Sequence, residues 1–190
     1  MKVGAVLLWF LCLPLAVPGQ NPPNSGTPAG EEWRKAVLAG LEEADRWKPF
    51  TSQEADFSVR LPGVPTRTLQ TNAQHESVLY NLQDGKKLYC VARQGYKTDV
   101  AKTGTAEQLL DRGCDGILNA MKGKLVSKEA VTLEKYPGRE MRFASGQVFF
   151  RLRAYWAAPN MYLVMVRGDQ ESVAGTDAAV FLNSFRIKSK

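Results

Sequence analysis

Histidine occurs once in this chain of 190 residues, at His75, and cysteine three times, at Cys12, Cys90 and Cys114. A zinc site gathers several such ligands at short spacing, so this supply excludes a zinc finger, and no metal or cofactor is expected. His75 lies in the polar run Gln74-His75-Glu76, where a solvated histidine is the ordinary reading and a general base the rare one. No Gly-x-Ser-x-Gly elbow, His-Glu-x-x-His helix, phosphate-binding loop or dinucleotide-binding glycine run is present. Charge of one sign is also never concentrated. Lys and Arg number 25 against 19 Asp and Glu, a net +6, and the densest basic stretch is the tail Arg186, Lys188 and Lys190. That distribution lacks the basic patch of a nucleic-acid binder.

What is present begins with an export signal. Lys2 precedes an apolar run from Val3 to Ala16, and Val17-Pro18-Gly19 places small or tolerated residues ahead of Gln20. This predicts a signal peptide over residues 1–19, with no stable membrane span after its removal, and a periplasmic or secreted protein. Residues 20–30, rich in Pro and Gly, read as a flexible leader, and 31–190 as a single α+β domain. Cys90 and Cys114 would then share an oxidising compartment. They form either one disulfide, closing a loop of roughly 25 residues worth about 3 kcal/mol, or two buried free thiols.

Periodicity supplies the elements. Trp33, Val37, Leu41 and Ala44 make a helical stripe over 31–47 that Pro49 ends. Phe57, Val59 and Leu61 alternate as a strand. Asp84-Gly85 predicts a hairpin between Ser77–Gln83 and Lys86–Tyr96, with Tyr80 opposite Tyr89 and Val78 opposite Val91. Thr105 caps a second helix to Lys122, striped by Leu110, Cys114, Ile117, Leu118 and Met121. Strands follow over Lys124–Leu133, Arg139–Ala144, Gln147–Ala157 and Met161–Arg167, then a helix over Thr176–Ser184.

A Ser145-Gly146 turn would set Met141 against Phe150, Arg142 against Phe149 and Glu140 against Arg151. In the next hairpin Trp156 meets Met161 and Leu152 meets Met165 on one face, while Tyr155 meets Tyr162 and Arg153 meets Val164 on the other. Apolar pairs on both faces predict an antiparallel sheet of about six strands flanked by helices on both faces.

Few groups are placed for chemistry. Glu42, Glu43 and Asp45 read as a solvated helix face, and Asp111 with Asp115, spaced i, i+4, lack a third ligand for a cation. The remaining cluster is Arg142, Phe149, Arg151, Arg153, Tyr155 and Tyr162. Its residue types suit an anion, glycan or protein partner. The ordinary reading is a structural role, through a Glu140–Arg151 ion pair and an Arg142–Phe149 cation–π contact.

An ordered set of signals carries a resemblance. Trp47-Lys-Pro-Phe50-Thr-Ser leads to Asp56-Phe57-Ser-Val59-Arg-Leu-Pro62-Gly63-Val-Pro65, then to Asp115-Gly116, Tyr136-Pro137-Gly138-Arg139-Glu140 and Ala178-Ala-Val-Phe181-Leu-Asn-Ser184-Phe185. Over residues 47–188 this resembles the exported bacterial proteins of the PsbP-like and DcrB-like family. The resemblance implies a central antiparallel sheet with flanking helices. It also implies a non-catalytic role, like those of photosystem extrinsic subunits and a nuclear-transport GTPase regulator, and it brings no catalytic residues. The expectation is an exported accessory or binding module whose partner is a protein or envelope component. Its alternatives are a small-ligand or lipid carrier with an apolar cavity and a hydrolase with an atypical carboxylate site.

Overall fold

The computed structural model describes residues 28, 31–35, 38, 46–71, 75–96 and 103–188. The expected signal peptide and most of the leader lie outside the described residues. The chain divides into two compact units, Met1–Ala44 and Asp45–Lys190. In the first, residues 31–35 and 38 are helical, and Trp33 is 47% exposed. The rest of the expected helix stripe, Val37, Leu41 and Ala44, is outside the described residues. Trp47 is not helical. It is buried in the second unit, its ring edge-on to Tyr89 at 5.6 Å.

Among the described residues, the second unit holds ten strands in two sheets. Strands β1 (Lys48–Ser52), β2 (Phe57–Leu61) and β10 (Arg186–Ile187) form a small antiparallel sheet in the order β1-β2-β10. Strands β3 (Thr66–Thr71), β4 (His75–Asp84), β5 (Lys87–Tyr96), β6 (Lys124–Leu133), β7 (Tyr136–Ser145), β8 (Val148–Ala157) and β9 (Asn160–Gly168) form the large sheet. Its order is β3-β4-β5-β9-β8-β7-β6 and every pairing is antiparallel. The expected sheet of about six strands is thus seven-stranded, and Phe57–Leu61 belongs to the separate small sheet.

Helix α1 (Ala106–Ala120) begins with a reciprocal capping pair: Gln108 N donates to Thr105 Oγ1, and Thr105 N donates to Gln108 Oε1. This satisfies two of the donors that a helix start leaves open. Helices α2 (Gln170–Ala174) and α3 (Thr176–Ser184) follow β9.

Both faces of the large sheet carry apolar clusters, as alternation along β8 makes plain. Leu152, Ala154 and Trp156 join Met141, Phe143, Met161 and, from α1, Leu110 and Cys114. Tyr155, between them in sequence, joins Tyr162, Val164 and Val166 with Phe181 and Leu182 of α3 and Phe57 and Val59 of β2. Phe185 is fully buried in this second cluster. It stacks on Tyr155 at 5.9 Å and touches Phe57 and Tyr162 at 5.7 and 5.9 Å.

Two hairpin registers differ from expectation by two residues, for one reason. Asp84 pairs with Lys87 and Ser145 with Val148, so the turns are Gly85-Lys86 and Gly146-Gln147. Each glycine has positive φ, +57° and +60°, and a glycine at the first of two turn residues suits the strand twist. Tyr80 therefore meets Val91, Met141 meets Leu152 and Glu140 meets Arg153. A shift of two leaves each side chain on its face. In the β8–β9 hairpin Trp156 meets Met161 and Tyr155 meets Tyr162, as the apolar pattern requires.

The two described cysteines are free and buried. Cys90 sits on β5, whereas α1, which bears Cys114, packs on β7 and β8. Two strand spacings, roughly 10 Å, separate β5 from β8, beyond the ~4.4–6.8 Å between bonded Cα atoms. The thiol alternative is the one observed. Burial pushes Cys90 up to about 12 and Cys114 up to about 11, so neither is a thiolate at neutral pH.

Candidate functional site

Strands β7 and β8 bring four charged side chains to the face occupied by Tyr155 and α3. Glu140 opposes Arg153, and Arg142 opposes Arg151. All three arginines turn to the one carboxylate. Arg151 Nε donates to Glu140 Oε1 at 2.8 Å, Arg153 Nε to Oε2 at 2.6 Å, and Arg142 Nη2 to Oε1 at 3.3 Å. Glu140, Arg151 and Arg153 are well covered, at 11%, 13% and 17% side-chain exposure, while Arg142 is 50% exposed. Burial by itself would raise the Glu140 pKa. The hydrogen bonds and charges of Arg151 and Arg153 overcome that and bring it from the ordinary 4.5 to about 2.

Arg153 also ties the sheet to the helix above it. Its Nη1 donates to Leu182 O and Asn183 Oδ1, at 3.2 and 2.9 Å, and Arg186 Nη1 donates to Asn183 O at 2.7 Å. Cations at the carbonyl-rich end of α3 complement its dipole.

The six residues expected to cluster therefore divide. Arg142, Arg151 and Arg153 converge, with Arg142 facing water. Tyr155 and Tyr162 are 3% and 2% exposed and form the floor under Phe185. Phe149 opposes Ala144 and packs at the margin of the same cluster. The cation–π contact expected between Arg142 and Phe149 gives way to the Arg142–Glu140 bond, because the two-residue register shift sets Arg142 opposite Arg151. Sequence reasoning paired Glu140 with Arg151 alone and missed Arg153. The signal was the alternation Arg151-Leu-Arg153, which puts both guanidinium groups on one face.

The acidic pair Asp111 and Asp115 is held by cations. Arg139 grips Asp111 with two bonds, at 3.0 and 3.1 Å, and Lys128 lies 3.3 Å from Asp111 and 3.0 Å from Asp115. A lysine thus occupies the space between the i, i+4 pair. Hydrogen bonding to Arg139 lowers Asp111, and bonding to Arg67 lowers Glu54. His75 opens β4 with its ring 6.0 Å from that of Tyr96. Among the described residues, no helix is long and apolar enough to cross a membrane.

The mixed α+β architecture with its seven-stranded antiparallel sheet has a PsbP-like fold. The cyanobacterial PsbP protein CyanoP of Synechocystis sp. PCC 6803 superposes with a TM-score of 0.54 over 75% of this chain and 92% of its own, at 11% identity. A Pseudomonas aeruginosa protein of unknown function, PA94, described as a putative regulator, aligns over 70% of this chain and 90% of its own. Its identity is also 11% and its TM-score 0.38. At this identity the first likeness is one of fold alone. No protein-family model matches the sequence, and no curated protein does.

Proposed function

We propose that the protein is a non-catalytic, exported accessory module that docks an acidic segment of a partner protein on its Arg142, Arg151 and Arg153 face. One observation carries the reading: three guanidinium groups share the single charge of Glu140, and Arg142 stands half exposed beside them. A guanidinium has five N–H donors, and Arg142 uses one on Glu140, so a carboxylate on a partner has a preformed fork to meet. Export is supported by the apolar run and small residues ahead of Gln20. The PsbP-like fold supports that role by analogy alone, and flanking helices on both faces of the sheet are part of the proposal.

A second reading, a carrier of small apolar ligands or lipid, draws on a cleft of about 360 Å³ beside Met121, Phe150 and Met165. Organic extraction of the purified protein followed by mass spectrometry addresses it, since a carrier releases a stoichiometric ligand. The hydrolase reading gains least support, because the described carboxylates whose titration is displaced move downward, whereas a general acid needs a raised one.

The docking reading is tested with a fluorescent oligoglutamate peptide and the full processed chain. Binding should weaken steeply with salt, and Arg142→Glu should reduce affinity at least about tenfold. Undiminished binding by Arg142→Glu, or a preference for an anionic polysaccharide of equal charge, would refute it. A chain recovered from periplasm or medium should begin near Gln20, and one retained with residues 1–19 attached would remove the export half.

A further inference from the structure

A second basic feature lies away from Glu140. Arg93 projects from β5 on the face of Tyr89 and Val91, beside Tyr162 of β9. Its side chain is 16% exposed, as covered as those of Arg139, Arg151 and Arg153. Those three donate to carboxylates at 2.6 to 3.1 Å. Arg93 differs. Among the described residues, its nearest carboxylate oxygens, on Asp56 and Glu76, are 4.0 and 3.7 Å away, and its Nε is buried without a hydrogen-bond partner. Distances of that size are beyond hydrogen bonding, and a buried donor left unmade is costly enough to call for an explanation.

A cleft of about 330 Å³ lies beside the guanidinium, lined by Arg93 with Asp56, Tyr136, Asn160, Tyr162 and Lys188, a volume within the range of small-ligand sites. The wall is built under strain: Asp56 has φ +50°, and its carbonyl accepts from Lys188 N at 2.8 Å, tying the β1–β2 turn to the end of β10. Non-glycine residues held at positive φ concentrate at ligand sites.

We infer that the Arg93 cleft binds a singly charged carboxylate, received by the Arg93 fork with Tyr162, Asn160 and Lys188 around it. The planar fork of a guanidinium matches a carboxylate in two parallel bonds. Asp56 and Glu76 flank the same guanidinium, so a doubly charged phosphate meets repulsion that a carboxylate meets only in half measure. Tyr162 remains a neutral hydroxyl able to donate, since burial pushes it up to about 12. The carboxylate belongs to a small acid or to a peptide, as a terminus or an acidic side chain.

Nitrogen-15 spectra of the full processed chain test this, titrated with acetate, with a short peptide bearing a free or amidated C-terminus, and with inorganic phosphate. Acetate and the free peptide should shift the Arg93, Asn160 and Lys188 amides saturably, while the amidated peptide and phosphate leave them in place. Tighter binding of the free peptide assigns the site to a chain terminus, and equal binding assigns it to small acids. Arg93→Met should weaken the carboxylate at least about tenfold, and Tyr162→Phe, which keeps the ring in the core, severalfold. Absence of saturable shifts at those amides in the unmutated chain, phosphate binding as tight as acetate, or full affinity in Tyr162→Phe and Arg93→Met would overturn it.

Discussion

Replacing Glu140 with glutamine is expected to remove about 3 kcal/mol of stability and to abolish most of the acid sensitivity of the fold between roughly pH 4.5 and 2. The substitution keeps the size of the side chain and removes the charge that three guanidinium groups share. Two of those groups are about as covered as Glu140 itself, so their charges are left in a poorly solvated place with no counterion. The sign of the pH effect follows from the lowered pKa. Glu140 titrates near 2 when folded and near its ordinary 4.5 when unfolded. Within that window the unfolded chain binds the extra proton, so stability rises with pH by about 1.4 kcal/mol per unit. The contribution is complete above about 4.5 and lost as pH falls through about 2. Urea unfolding of both chains at a series of pH values measures it: the unmutated protein should show the steeper slope, and Glu140→Gln a shallower one left by the other lowered carboxylates. Parallel slopes would remove the Glu140 hub from the account. Replacing Arg151 and Arg153 by methionine in the Glu140→Gln background should recover part of the loss, because the uncompensated charges go with them.

Phe185→Ala should cost about 3–5 kcal/mol, lowering the urea midpoint by roughly 2 M. Phe185 follows the last turn of α3 and is fully buried against Tyr155, Tyr162 and Phe57. Its ring therefore touches β8, β9 and the small sheet together, and no neighbour can collapse into the space without moving an element. Val64→Ala, at a residue 88% exposed, serves as the control and should fall within about 0.5 kcal/mol of the unmutated chain. A loss below about 1 kcal/mol for Phe185→Ala would mean that the terminal helix and the small sheet do not rest on the large one.

How much of this was legible depended on where the sequence repeats its physical signals. Helix α1 could be read because Thr105 is a capping residue and Leu110, Cys114 and Ile117 share a face. The β8–β9 register could be read because Leu152 with Met165, Tyr155 with Tyr162 and Trp156 with Met161 give bulky apolar pairs on both faces. Strand β3 could not: Thr66–Thr71 is exposed throughout, an edge strand with no buried face to impose alternation. The two-residue β10 and five-residue α2 are shorter than any period can reveal. In two hairpins the glycine was given the second turn position rather than the first, which moved the partners of Glu140 and Arg142 without moving their faces. The arginine cluster was visible for that reason, and its convergence on one carboxylate was not. Arg93 carried a faint signal, an arginine in line with Tyr89 and Val91 on one face of the strand. Its cleft is made by the β1–β2 turn, the β8–β9 turn and the chain end, which no local pattern brings together.

Hydroxyl-radical footprinting of the folded, full processed chain bears most directly on whether both sides of the large sheet are shielded from water. Tyr155, Tyr162 and Phe181 on one side, and Phe143, Trp156, Met161, Cys90 and Cys114 on the other, should be oxidised far more slowly than in the urea-unfolded chain. Rapid oxidation of either set in the folded protein, at rates like those of exposed Trp33 or Val126, would contradict it.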